Sequence, residues 1–381
     1  MSVESDIVVI GGGIAGLTAA RALARTGARV RVIEKDRLAA GTSRVAAGML
    51  APFVEARIEE RETLGIGIAA LDVWKRYAET IEHESGRSID YRAEGTILTG
   101  VEPDHAAQNR HLAEEYRALG LAIDPLRTTE ARALEPLLSP RITDSFISRS
   151  DHQVDPRALL AALIAICRND AAVDLHEREE AVRLTEADGG GWRIELSEGR
   201  SIVATTVVLA TGASLSIVRD LLPGLSRSVR PVKGTILRIR AESPAITHVI
   251  RTPEVYIAPK GDGTIVVGAT SEDRGFESRP RLGPLFEILR AVWETIPSLY
   301  DATIEEIAVG HRPASIDHAP LIGPTSRPGL LIAGGYYRHG ILFAPLAAEI
   351  IARYVQTNEI DERYERFSPE RFERHGESAN R

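Results

Sequence analysis

Asp6-Ile7-Val8-Val9-Ile10-Gly11-Gly12-Gly13-Ile14-Ala15-Gly16 opens the chain with an apolar strand that runs straight into G-x-G-x-x-G. Leu17 to Arg25 then reads as a helix, and Arg29 to Glu34 as a second strand ending in an acid. Together these pieces make a complete βαβ dinucleotide fingerprint. Gly11 permits the tight turn, Gly13 lets the backbone approach a pyrophosphate, and Gly16 lets the helix pack close to the strand. The free N–H groups at the helix N-terminus receive the phosphate charge. Glu34, eighteen residues beyond Gly16, is placed to accept from a ribose hydroxyl.

Working outward, 381 residues exceed one ordinary core, so two domains are expected. Hydrophobic residues at 44% and a net charge of −8 describe a globular protein without the basic surface of a nucleic-acid binder. The single cysteine, Cys167, excludes an intramolecular disulfide. It sits in the apolar helix Arg157–Cys167 and reads as a buried small side chain, not as a covalent cofactor anchor. No apolar run is long enough for a membrane span, and a strand that starts by residue 6 leaves no room for a signal peptide. A cytoplasmic location is therefore expected. There is no His-Glu-x-x-His, no cysteine cluster and no G-x-S-x-G elbow, so neither a metal site nor a serine hydrolase is expected.

The pattern along the chain shifts twice. Arg61 to Ser85, His105 to Leu119, Thr129 to Leu134 and a helix begun by Asp155-Pro156 precede a β-rich stretch. Strands are expected at Gly95 to Gly100, Ala181 to Leu184, Gly191 to Leu196, Ser201 to Leu209, Val229 to Ile239, Glu254 to Pro259 and Thr264 to Gly268. Arg281 to Ile296 is again helical, and Leu330 to Ala333 is a buried strand followed by a glycine-rich turn and a helix through Val355. This predicts an α/β two-domain protein. Residues 1–88, 145–225 and 309–381 form a discontinuous nucleotide domain, and 89–144 with 226–308 form an inserted mixed-sheet α+β substrate domain.

Two further segments point at a cofactor. Val207 to Leu209 ends in Ala210-Thr211-Gly212-Ala213, where small residues let the chain pass close to a ligand. Ala40 to Leu50 is dense in hydroxyls and small residues that can offer donors to phosphates and a flat ring. Two arginines, Arg312 in Gly310-His311-Arg312-Pro313 and Arg338 in Gly334-Gly335-Tyr336-Tyr337-Arg338-His339-Gly340-Ile341-Leu342, read as lying in glycine-rich turns beside strand ends. A guanidinium fork suits bidentate binding of a carboxylate.

On these residues the chain resembles the FAD-dependent D-amino-acid oxidase family, and within it the glycine oxidases of thiamine biosynthesis. The resemblance runs from Ile10 to about Phe372. It is carried by the N-terminal fingerprint, Thr42-Ser43 with Ala46 to Leu50, Pro231 to Gly234, Val255 to Pro259, Val267 to Thr270, Gly310 to Pro313 and Tyr337 to Leu342. It implies a Rossmann-like domain holding non-covalent FAD. Gly11, Gly13, Ile14, Ala15 and Gly16 would hold the diphosphate, and Glu34 the ribose. Thr42, Ser43, Ala47, Gly48 and Met49 would line the diphosphate and flavin. The backbone at Val182 would meet the adenine. Tyr336, Tyr337, Arg338, His339, Gly340, Ile341 and Leu342 would close over the isoalloxazine, with Lys35, Thr211 and Gly212 as further cofactor positions. Arg312 would grip a substrate carboxylate, with Tyr256 and Arg338 beside it. Ser271, where a comparable glycine oxidase has methionine, is a fourth substrate-side candidate. His311 and His339 read as packing or flavin-side residues.

The activity so implied is an oxidoreductase reaction. Glycine, sarcosine or small D-amino acids are deaminated with O₂ to an imine or 2-oxo acid, ammonia and hydrogen peroxide, and the glycine imine supplies the thiazole of thiamine. The flavin takes a hydride from Cα, so no acid–base residue is required. The resemblance further implies a homotetramer and a downstream thiazole synthase, with no nucleic-acid partner. Three other readings stand beside it: a D-amino-acid or N-methyl amino-acid dehydrogenase passing electrons to a quinone or carrier, a non-catalytic flavin-binding module, and a nicotinamide dehydrogenase.

Overall fold

The computed structural model describes residues 4–55, 61–242 and 246–373. Two eight-stranded sheets organise it. The first runs Leu321–Pro324, Leu330–Gly334, Ser201–Leu209, Glu4–Ile10, Val30–Glu34, Val173–Glu177, with the hairpin Ala181–Glu186/Trp192–Leu196 added to Ser201–Leu209. Glu4–Ile10 lies parallel to both its neighbours, as a βαβ unit demands. Side chains alternate across this strand. Ile7 and Val9 face a core built with Leu17, Trp74, Leu163 and Leu342, while Val8 and Ile10 face a second core around Trp192 and Ile194. The helices Ile14–Ala24, Arg61–Ser85, Pro156–Asn169 and Gly340–Thr357 pack on the first of these faces. Asp155 caps the Pro156 helix by accepting from the N–H groups of Arg157 and Ala158. Cys167 is fully buried there, and burial pushes its thiol up to about 12.

The second sheet runs Thr303–Ser315, Val229–Arg240, Thr264–Gly268, Tyr256–Pro259, Val249–Arg251, Thr96–Leu98, Ser145–Ser148, Asp124–Leu126. It is mixed, because Val249–Arg251 lies parallel to Thr96–Leu98 while its other pairs are antiparallel. Two boundaries drawn from the sequence shift here. Ser145–Ser148 pairs in this second sheet, and so do residues 309–315 of Thr303–Ser315. Arg312 therefore stands on a strand and not in a turn. Gly310 and Pro313 suggest a turn locally, yet the strand keeps unbroken register with Val229 to Arg238, Arg312 opposite Val232, and shifts only beyond Arg238. An edge position allows this, since a proline there leaves no ladder bond unmade. Among the described residues no helix is long and apolar enough to cross a membrane.

Candidate functional site

A cavity of about 510 Å³ runs between the two sheets, from the tip of the first strand to the floor of the second sheet. Its nucleotide end is built by the fingerprint. A Cβ at Gly11 would stand 2.3 Å from the Ala210 carbonyl oxygen, and one at Gly16 1.8 Å from the Gly11 oxygen, so these two glycines close the loop against its neighbours. Gly16 thus packs the helix and does not line the cavity, whereas Gly11, Gly13, Ile14 and Ala15 do. The helix begun at Ile14 has no acidic residue in its first turn, and Ser43 Oγ accepts from the Ile14 N–H at 3.0 Å. Its positive end is open to an anion.

Glu34 lines the same end. Its Oε2 accepts from the Gly12 N–H at 2.7 Å and its Oε1 from the Asp36 N–H at 2.9 Å. Both bonds hold the carboxylate still while leaving lone pairs for a ribose hydroxyl. Lys35, Thr42, Ser43, Ala47, Gly48, Met49, Thr211 and Gly212 line the walls. Thr42 also ties the two sheets together: its Oγ1 accepts from the His311 N–H and donates to the His311 oxygen, both at 2.9 Å. These residues fit a dinucleotide, with tight glycine turns, an open helix N-terminus and an oriented carboxylate at the strand end.

The expected backbone contact at Val182 falls on the strand Ala181–Glu186, whose first residue reaches the cavity. Val182 is half exposed and does not line the cavity, while Ala181 does.

At the other end, Arg312 and Tyr256 line the cavity with Ile236 and Gly234. The Arg312 guanidinium lies flat against Gly234, where a Cβ would come within 2.5 Å of Nη1. Nη1 donates to the Thr270 carbonyl at 3.0 Å. Burial pushes the Tyr256 phenol up to about 12 against the opposing effect of Arg312, so it stays a neutral donor. Tyr336, Tyr337, Arg338, Gly340 and Ile341 complete the wall. Tyr337 stacks on His318 at 4.8 Å, and Arg338 lies over the Tyr337 ring at 4.6 Å.

Three expected contacts are turned elsewhere. His339 and Leu342 line a separate void of about 10 Å³, and the Leu342 carbonyl accepts from Trp74 Nε1 at 2.9 Å. The Gly340 helix turns residue 341 to the cavity and residue 342 to the core. Ser271 is exposed and lies outside the cavity lining, because the chain has already left Thr264–Gly268 for the surface. Phe276 and Glu55 are among the lining residues that carried no sequence signal. Phe276 sits with its ring 5.4 Å from His311 although it is 59% exposed. Glu55 follows a backbone fastened from below, where Asp151 accepts from Phe53 N–H and Val54 N–H, both at 3.2 Å, and Tyr116 donates to the Val54 oxygen at 2.9 Å.

A family model described as FAD dependent oxidoreductase matches residues 6–354. The chain is 29% identical to a glycine oxidase of Geobacillus kaustophilus over 362 residues, 94% of this chain and 95% of that one. A crystal structure of glycine oxidase from that organism superposes with a TM-score of 0.88, covering 97% of this chain and 99% of the other at 28% identity. A bifunctional protein ThiO/ThiG of Synechocystis is 30% identical over 380 residues, but this chain spans only 55% of its length. The crystal structure of an iminodiacetate oxidase from Chelativorans gives a TM-score of 0.86 at 26% identity, covering 96% of this chain and 99% of that one.

Proposed function

Since the chain belongs to the DAO family of FAD-dependent oxidoreductases, we propose that it is an amino-acid oxidase of the glycine oxidase type. The observation that carries this reading is the pairing, at one end of the cavity, of a guanidinium laid flat on Gly234 with the neutral phenol of Tyr256, while a nucleotide cradle forms the other end. Bound FAD supplies the hydride acceptor for oxidation at Cα.

The protein's own residues bind and aim the substrate. Arg312 takes the substrate carboxylate through charge-assisted hydrogen bonds, and Tyr256 adds a donor. Thr270 holds the guanidinium from behind, so the free face of the fork points into the cavity. The gain is mostly orientation of the Cα–H bond. Glycine or another small amino acid, with O₂, gives the imine and hydrogen peroxide, and water then hydrolyses the imine to the 2-oxo acid and ammonia. The likeness to an iminodiacetate oxidase favours secondary amines such as sarcosine as further substrates.

The ThiO/ThiG relative supports a place in thiamine biosynthesis, with the glycine imine passing to a thiazole synthase. We place the enzyme in the cytoplasm as a homo-oligomer, a tetramer by family. The exposed apolar stripe Leu282, Phe286, Leu289 and Trp293, at helical spacing on Leu282–Thr295, supports such an association.

The test is a panel of glycine, sarcosine, D-alanine and D-proline with peroxide detection. One peroxide per substrate consumed is expected. Substrate oxidation without peroxide, sustained only by an added quinone, would replace the oxidase by a dehydrogenase. An inert yellow protein across the panel would leave a flavin-binding module.

A further inference from the structure

We propose that residues 270–281 form a strap latched over the Arg312 end of the cavity by the buried ammonium of Lys233, which makes Lys233 a positioning residue for the carboxylate-gripping guanidinium. The proposal rests on the reading of Arg312 above.

The strap leaves the second sheet at Thr264–Gly268 and reaches the helix Leu282–Thr295. Along this span it carries Phe276 into the cavity lining. Lys233 lies beneath it on Val229–Arg240, with no exposed side-chain surface. Two of its donors bond the strap, and a second strap carboxylate stands within ion-pair distance. Nζ donates to the Arg279 carbonyl at 2.7 Å and to Glu272 Oε2 at 3.3 Å, and lies 3.6 Å from Glu277 Oε2.

The same latch reaches the guanidinium through two short links. Lys233 and Glu272 exchange backbone hydrogen bonds of 3.0 and 2.9 Å. The other oxygen of Glu272, Oε1, accepts from Thr270 Oγ1 at 2.9 Å, and Thr270 Oγ1 in turn accepts from the Thr235 N–H at 2.8 Å. Thr270 is thereby fixed on two sides, and its carbonyl is the group that holds Arg312 Nη1. A second tie runs from His311 Nε2, 3.1 Å from the Glu277 carbonyl oxygen.

Removing the ammonium leaves Glu272, 10% exposed, beside Glu277 with no buried counter-charge. Among the described residues only Arg274 and Arg281 remain to pair with them, and both are half exposed. Both carboxylates are then drawn outward, Thr270 loses its acceptor, and the guanidinium loses its aim.

The experiment compares FAD-loaded wild type with Lys233→Met, using acetate as a non-reacting carboxylate probe read by flavin absorbance. Trypsin cleavage after Arg274 and Arg281 gives a second readout that owes nothing to activity. Lys233→Met is expected to weaken acetate at least tenfold and to speed strap cleavage at least tenfold. In the Arg312→Ala background it should weaken acetate no further, because both substitutions act through one group. Glu272→Gln, which keeps shape and loses charge, should move both readouts the same way and serves if Lys233→Met does not fold. Unchanged acetate affinity, unchanged cleavage, or additive losses in the double variant would overturn the latch. If Arg312→Ala itself leaves acetate affinity intact while Lys233→Met still frees the strap, the Arg312 reading has failed and the positioning role falls with it.

Discussion

Gly234→Ala is the sharpest available test of how the carboxylate grip is built. Residue 234 lies in a regular strand, opposite Gly310 in the Val229–Arg240/Thr303–Ser315 ladder, so alanine costs the backbone nothing special. Its Cβ would, however, stand 2.5 Å from Arg312 Nη1, 2.7 Å from Cζ and 2.8 Å from Nη2. To reach the 3.4 Å at which ordinary van der Waals contact begins, the guanidinium must retreat by about 0.9 Å. The atoms displaced are the far end of a flexible side chain, so stability should change by less than about 1 kcal/mol. Function should not be spared. The retreat lifts the whole plane of the fork, and it strains the 3.0 Å bond to the Thr270 carbonyl. A misplacement of about 1 Å at a positioning group costs about 10²-fold in rate, or about 2.7 kcal/mol of transition-state stabilisation. The assay is kcat/KM for glycine with peroxide detection, alongside melting temperature and the ratio of flavin to protein absorbance. A folded, yellow variant with kcat/KM within threefold of wild type would refute the placement of Arg312 over Gly234.

Three further outcomes follow from the same geometry. Arg312→Ala should keep FAD and lose about 2–5 kcal/mol from kcat/KM, with Arg312→Lys recovering only part because an ammonium lacks the planar fork; an unchanged kcat/KM for Arg312→Ala would remove this residue from the site. Ser271→Met should leave the preference among glycine, D-alanine and D-proline as it was, since residue 271 is exposed and outside the cavity, and a changed ratio of kcat/KM values would bring it back in. Burial pushes the Asp151 carboxyl up from 3.8 to about 7, so the folded state holds a proton that the unfolded state has released between these values. Its contribution to stability is therefore present below about pH 4 and is lost as pH rises toward 7. The melting temperature of wild type minus that of Asp151→Asn should fall as pH rises from about 4 toward 7, and a difference that rises with pH would contradict the raised value.

The N-terminal fingerprint is legible because its information is local. Strand, turn, helix and acid lie within thirty residues, and Gly16 answers to Gly11 five positions away, although Gly11 itself closes against Ala210. The same holds for the Asp155-Pro156 helix start and for the buried Cys167, whose surroundings are apolar at helical spacing. Near misses begin where the answer depends on one step of register. Ala181 lines the cavity while its neighbour Val182 is half exposed. His339 and Leu342 sit among true lining residues in sequence, and the helical turn carries them to the other side. Arg312 reads locally as a turn residue and stands on an edge strand because Val229–Arg240, some eighty positions earlier, gives it a ladder. Phe276 and Glu55 could not be placed from sequence, and Lys233 stood in an expected strand with no role assigned to it. Their roles come from contacts with residues far along the chain, Phe276 with His311, Glu55's loop with Asp151, Lys233 with Arg279. The chain's order thus determines the cofactor cradle, where short-range periodicity and turn chemistry decide. The substrate end is decided by the tertiary structure, because a charge grip is made of groups that only long-range strand pairing brings within hydrogen-bond reach.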